Sequence, residues 1–412
     1  MGISFKLEGK PPKSGVFKRQ SGRDAVLHLA ARMDELAEVR TQLYTEEGEN
    51  PNLYLAGGLI EFYSDEGVVG VLARTSPFGP GFHIYALELA LNVGEEMGIT
   101  WTSKSKDESG YWPNRDQSAL HQAMVENNRG IAQHVVSSPQ NAYMVNMDMF
   151  LIFDHPGFLT PMGPRDRSWF QAVADGASTG FEIFNWPEPG RGRSFQLSQA
   201  NFELWNTVSW IKADEAGQQE EYDHVCQLLT QAASISGEGI PWHAWKELIE
   251  LGGTVDEATR QLVWGQAAHH PEPNERIGYR RKAVTLMTES SFKLTVPGWV
   301  TGQYYGGWEG GSRDMFVGLR ALFGPPGALV DHAKSLPGDH FPLDVPGAES
   351  VFKLHRDVED GEEVFCIQGI AQAAHEGVLL TISGPPARLA EAEQWARTLV
   401  RTGPYHTEPM KS

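Results

Sequence analysis

The sequence predicts an α+β protein of more than one domain, built from mixed antiparallel sheets with helices packed against them. Three observations predict it. Short β-rich runs are joined by hairpin turns, as at Ser64-Asp65-Glu66-Gly67 and Glu359-Asp360-Gly361-Glu362. Apolar residues recur at helical spacing in several longer stretches. The chain has 412 residues, which is more than one core usually serves, so two or three domains are expected.

The first expected unit covers residues 1–135. Residues 1–20 are polar and basic and read as an extended arm. Asp24–Tyr44 places Val26, Leu29, Met33, Leu36 and Leu43 on one stripe, with Asp24, Asp34, Glu35 and Glu38 facing away, which predicts an amphipathic helix. Leu53–Tyr63 and Val68–Ala73 read as strands of a hairpin. A stiff loop follows at Ser76–His83. Gly-rich backbone before a helix can hold an anion. Here the phosphate-loop spacing and its Lys-Ser/Thr are missing and two prolines remove amide donors, so the loop reads as a structural turn and His83 as a capping or packing residue. The next helix turns Tyr85, Leu89 and Val93 to one face and has Gly98 past its end. Ile99–Thr102 reads as a short strand, KSKDESGYWPNRD as a charged loop, and Asp116–Val136 as a further helix.

The second unit, residues 136–273, is Trp-rich and can be read as continuous with the first. Ala142–Phe153 alternates with period 2, so Asn146, Asp148, Phe150 and Ile152 share a face. HPGFLTPMGPRDR reads as a rigid loop and Phe181–Trp186 as an aromatic strand. Helices are expected over Phe195–Trp210, Glu215–Ala233, Pro241–Leu251 and Thr254–Trp264, the last opened by a capping box of Thr254 and Glu257. Seven of the 12 tryptophans lie between Trp169 and Trp264. Most sit among aliphatic residues at helical spacing, which favours core over an exposed aromatic surface.

The third unit covers residues 274–412. Ala283–Met287, Phe292–Val296, Asp314–Phe323, Val351–Leu354, Val364–Ile370 and Val378–Ile382 read as strands. Ala328–Ser335 gives one or two helical turns. Pro385-Pro386 precedes a closing helix carrying Leu389, Ala392, Trp395, Ala396 and Leu399, which Gly403 and Pro404 stop. SFKLTVPGWV, IQGIAQAA and LLTISGPPARLAEAEQWARTLV, in that order, resemble the Mog1/PsbP-like fold, which includes the DcrB-type domains. The resemblance covers about 125 residues. It implies an α/β sandwich for this third and a protein-binding or effector-chaperone role, by fold analogy alone.

Net charge is −19, which argues against a phosphate-tracking nucleic-acid binder. It suits a partner protein with a basic surface. Hydrophobic content of 41% excludes global disorder. No run approaches the length needed to span a membrane, and the N-terminus has neither a secretory h-region nor the Ser or Thr of a myristoylation pattern, so a cytoplasmic location is expected. Cys226 and Cys366 are too few and too far apart for a disulfide framework and read as buried thiols. His269 and His270 with Glu272 and Glu275 lie in a Pro-rich linker and read as solvated, so no metal and no cofactor are expected.

The residues with the best claim to catalysis are Asp148, Asp154 and His155. An Asp desolvated beside Phe150 and Ile152 could serve as a base, although a hydrogen-bonded structural Asp and a loop His are the simpler account of the pattern. No standard catalytic or nucleotide-binding motif occurs. The expected function is therefore a non-catalytic, immunity-type or regulatory binding protein that neutralises or holds a partner through acidic residues, with Glu359, Asp360, Glu362 and Glu363 as the binding residues. A secretion-effector chaperone or scaffold, and a hydrolase using the Asp148 set, are the alternatives.

Overall fold

The computed structural model describes residues 2–11, 13–14, 18–19, 21–46, 48–65, 67–138, 143–145, 151–152, 158–213, 216–271, 278–304, 307–312, 314–359 and 361–402. The first stretch gives β1 (Ser4–Lys10), β2 (Lys13–Ser14), β3 (Lys18–Arg19) and α1 (Gly22–Leu36). Ser21 caps α1 by accepting the Asp24 N–H at 3.0 Å. The helix buries Ala25, Val26, Leu29, Ala30 and Met33. It is shorter than the expected 24–44. It stops at Leu36, 38% exposed, where the stripe has run off the apolar surface it covers. Thr41–Tyr44 is instead strand β4.

β5 (Asn52–Leu55), β6 (Gly58–Asp65) and β7 (Val68–Arg74) follow. The run expected as one strand over 53–63 is folded back at Ala56-Gly57, with φ of 47° and 86°, the geometry of a two-residue hairpin turn. Then come α2 (Pro80–Glu96), β8 (Thr100–Trp101), β9 (Lys106–Asp107) and α3 (Gln117–Ser137). The sheet runs β4-β5-β6-β7-β1-β8, with β9 also paired to β1. Phe5, Leu7, Ile60, Phe62 and Val71 from its strands share one core with α1 and α2.

The middle of the chain gives β10 (Tyr143–Met144), β11 (Leu151–Ile152), β12 (Phe158–Thr160), β13 (Gly163–Arg165), α4 (Arg167–Ala174), α5 (Arg193–Asn206), α6 (Ala216–Ile235), α7 (Trp242–Leu251) and α8 (Glu257–His269). The stretch expected as a rigid loop holds the β12–β13 hairpin. The expected strand at Phe181–Trp186 is a 3-10 turn over Phe181–Ile183. Ile183, Phe184, Asn185 and Trp186 are all buried in succession, so no two-residue alternation survives there. α8 is capped by Asp256, which accepts the Thr259 N–H at 2.7 Å, and not by Thr254, whose Oγ1 accepts from Gln219 at 3.3 Å. Trp186, Trp205, Trp210, Trp242 and Trp245 are buried, so these tryptophans are core.

The last stretch gives β14 (Ala283–Met287), β15 (Phe292–Pro297), β16 (Thr301–Tyr304), β17 (Trp308–Ser312), β18 (Met315–Phe323), α9 (Ala328–Ala333), β19 (Asp339–Phe341), β20 (Glu349–Glu359), β21 (Glu362–Ala373), β22 (Glu376–Gly384), α10 (Leu389–Ala396) and β23 (Val400–Arg401). One antiparallel sheet runs β16-β17-β18-β22-β21-β20-β19 and another β11-β14-β15-β23. Phe292, Leu294, Val317, Phe352, Ile367, Leu380 and Trp395 meet in a shared core. The β16–β17 hairpin and β19 were not expected from the sequence.

The architecture is α+β, with ten α-helices and several sheets among the described residues. The three stretches are tied together. β11 pairs with β14 through Leu151–Leu286 and Ile152–Thr285. Trp205 of α5 lies in the core of the last stretch. Ile183, Phe184 and Trp186 lie in the first. Among the described residues no helix is long and apolar enough to cross a membrane.

Candidate functional site

Asp148, Asp154 and His155 lie outside the described residues. So do Glu272 and Glu275. His269 is bonded to its own helix at the Gly265 carbonyl, 2.7 Å away, and the His270 ring contacts Gln266 at 3.2 Å. Among the described residues no group of three or more His, Cys, Asp or Glu could hold a metal ion.

Sequence reasoning missed a polar cluster around His83. The ring is fully buried at the start of α2. Its Nδ1 lies 2.7 Å from Thr75 Oγ1, and its Nε2 lies 3.1 Å from Ser109 Oγ and 3.3 Å from Asp107 Oδ1. Asp107 is also buried, against the expectation of a charged loop, and its carboxylate accepts from the N–H groups of Ser109 (2.8 Å) and Trp112 (2.7 Å). Burial pushes the Asp107 carboxyl up, but the contacts with His83 and the Trp112 and Ser109 donors outweigh it and hold the group at about 2. Ser, His and Asp together invite a hydrolase reading. The geometry opposes it. In a nucleophilic triad the His carries Ser on one nitrogen and Asp on the other; here both sit on Nε2, all three are buried, and Thr75 takes Nδ1. The cluster ties β9 and the 75–83 turn together. No sequence signal finds it, because Thr75, His83 and Asp107 belong to separate elements.

The arrangement best suited to holding a ligand is a cleft of about 780 Å³ between the 181–188 segment, α5 and the start of α7. Ligand clefts run roughly 300–1,000 Å³. Leu197, Ile240 and Trp242 supply apolar surface, and Glu182, Glu188 and Glu238 supply carboxylates. The Gly237-Glu238-Gly239 turn is held from α5, where Arg193 Nε donates to the Ser236 carbonyl at 3.3 Å. Trp242 stacks on Trp245, ring centroids 5.7 Å apart and 18° between planes. The Trp242 indole N–H is buried with no hydrogen-bond partner among the described residues, a donor that costs free energy until one arrives. Arg165 also lines the cleft, but its guanidinium is turned on backbone carbonyls, those of Met162 (3.1 Å), Pro164 (3.0 Å) and Glu182 (3.0 Å). Glu182, Glu188 and Glu238 are exposed and carry no ion pair among the described residues.

The carboxylates expected to bind a partner stand elsewhere. Glu359 ends β20, Asp360 lies outside the described residues, and Glu362 and Glu363 are exposed at the start of β21. Gly361, φ 87°, makes the turn between the strands. Val358 beside them is 60% exposed. Of the two thiols, Cys226 is buried and Cys366 half-buried. Burial pushes the Cys226 thiol up to about 12, which removes it as a nucleophile at neutral pH.

No family model matches the chain, and no curated protein matches it. Among solved structures, a crystal structure of a protein from Bacteroides thetaiotaomicron VPI-5482 is similar over 28% of this chain, with 11% identity and a TM-score of 0.24. The match covers 47% of that protein, less than half its length. A likeness at that level leaves fold and site to be argued from this chain's own geometry.

Proposed function

We propose that the chain is a non-catalytic binding protein, immunity-type or regulatory and cytoplasmic, that holds a partner protein through basic side chains on the partner. The supporting observation is the cleft, where three carboxylates without ion pairs among the described residues rim an apolar floor. A Lys or Arg can lay its apolar stem on such a floor while its charge meets the rim. The acidic β20–β21 turn would act at longer range, by steering the encounter. The resemblance of the last third to the Mog1/PsbP-like fold suits the same role by analogy.

The test is a quantitative pull-down from native lysate with wild type and with Glu182→Gln/Glu188→Gln/Glu238→Gln, followed by kinetics on the captured partner. The triple variant should lose about tenfold or more in affinity, since each rim charge contributes up to about 1 kcal/mol. Charge reversal at Glu359, Asp360, Glu362 and Glu363 should lower the association rate and its salt dependence while leaving dissociation unchanged. A partner retained equally by all variants, with rates flat in salt, refutes the proposal.

A further inference from the structure

A second cleft, of about 600 Å³, lies where the 37–40 segment meets α5 and α6. Arg40, His224, Gln196, Gln227 and Gln231 line it. Arg191 and Glu38 also reach it but satisfy one another, through an ion pair and through Arg191 Nη1 donating to the Glu38 carbonyl at 3.0 Å. Arg40 is different. Its nearest carboxylate, Glu203, is 4.0 Å away, beyond hydrogen-bond reach. Its guanidinium makes no hydrogen bond among the described residues.

The three glutamine amides are likewise without side-chain hydrogen bonds among the described residues, and Gln196 Oε1 is buried in that state. Amide donors and acceptors therefore stand beside a 43% exposed guanidinium fork whose ion pair with Glu203, at 4.0 Å, leaves its N–H groups without a hydrogen bond among the described residues. Burial, and then Arg40, depress His224 to about 4. The ring is thus neutral at physiological pH and offers one donor and one acceptor. Burial raises the Glu203 carboxyl, and Thr207 and Arg40 only partly oppose this. With Glu38 and Arg191 cancelling, the lining carries one positive charge in a chain of net charge −19.

We propose that this cleft binds a small hydroxylated carboxylate, a uronate being the simplest member, with Arg40 on the carboxylate and the glutamine amides on the hydroxyls. A planar guanidinium matches a carboxylate in two parallel hydrogen bonds. A hydroxyl both donates and accepts, as an amide side chain requires. The site is independent of the acidic cleft and of any protein partner there.

Calorimetry and saturation-transfer NMR on the full chain, with D-glucuronate, D-glucose and acetate as probes, test this. Glucuronate should bind at or below roughly 10 mM, with glucose and acetate at least about tenfold weaker. Arg40→Gln should lower glucuronate affinity about tenfold or more and leave glucose unchanged. Gln227→Ala/Gln231→Ala should weaken glucuronate and leave acetate unchanged. Gln227 and Gln231 are exposed, so that variant keeps its fold and the test stands even if Arg40→Gln does not fold. Absence of glucuronate binding overturns the proposal, and so does binding that both variants leave intact.

Discussion

Asp107→Asn tests whether the buried His83 cluster holds the N-terminal sheet together. Asp107 accepts from the Ser109 N–H at 2.8 Å, the Ser109 hydroxyl at 2.7 Å and the Trp112 N–H at 2.7 Å, with His83 Nε2 at 3.3 Å. An amide there removes the charge and turns an N–H₂ toward the Trp112 or the Ser109 backbone N–H, which can only donate. A broken buried pair costs about 3–5 kcal/mol, which is the loss expected at pH 7. Part of it depends on pH. The folded carboxyl sits at about 2 against an ordinary 3.8, a linkage of about 2 kcal/mol. Because the folded state is the stronger acid, that stability is complete well above pH 4 and is lost as pH falls toward 2. Urea unfolding of wild type and variant, followed by circular dichroism, should therefore show the gap narrowing by about 1 kcal/mol between pH 7 and pH 3. A variant within about 1 kcal/mol of wild type at pH 7, or a gap that widens as pH falls, refutes the reasoning.

Two further outcomes follow from burial and strand pairing. Cys226, with its thiol raised to about 12, should resist iodoacetamide at pH 8 until the chain is unfolded, read by peptide mass spectrometry; rapid native labelling of Cys226 contradicts its burial. Proteolysis in the Pro-rich segment at 268–276 should nick the chain without releasing residues 276–412, because β11 pairs with β14 and Trp205 is lodged in the last core; separate elution of the two pieces in gel filtration contradicts that.

The parts of this fold that the sequence makes legible are those decided by neighbours in sequence. α10 and β22 follow from apolar spacing and Pro385-Pro386, and the β20–β21 turn from Asp360-Gly361. Where the reading fails, a distant contact decides. Phe181–Trp186 looks like a strand, but its Phe184 and Trp186 are buried in the first core, which removes any alternation. The run from Asp24 to Tyr44 keeps a helical stripe on paper, yet Thr41–Leu43 pair with Leu55–Leu53 instead. The binding surfaces lie further still from local signals. The acidic cleft joins Glu182 and Glu188 to Glu238 across about fifty positions, and the second cleft joins Arg40 to His224.

That distance has a physical consequence for reading function from such a chain. A motif is visible when one element must present several groups to one atom, as a phosphate loop does. Neither cleft here is built that way. Each takes its side chains from α5, from α6 or α7, and from a connecting segment. Each residue is ordinary in its own context: Arg40 follows a helix, Gln227 sits on an exposed helical face, Glu238 sits in a turn. What distinguishes them is the state of their polar atoms. Arg165, Arg191 and Arg193 are spent on carbonyls or on Glu38, whereas Arg40 keeps only a 4.0 Å contact with Glu203 and the three exposed rim carboxylates have no ion pair among the described residues. Buried polar groups are normally satisfied, and of the polar atoms facing the two clefts Trp242 Nε1 and Gln196 Oε1 are buried without a partner among the described residues, so those are the atoms a ligand would satisfy.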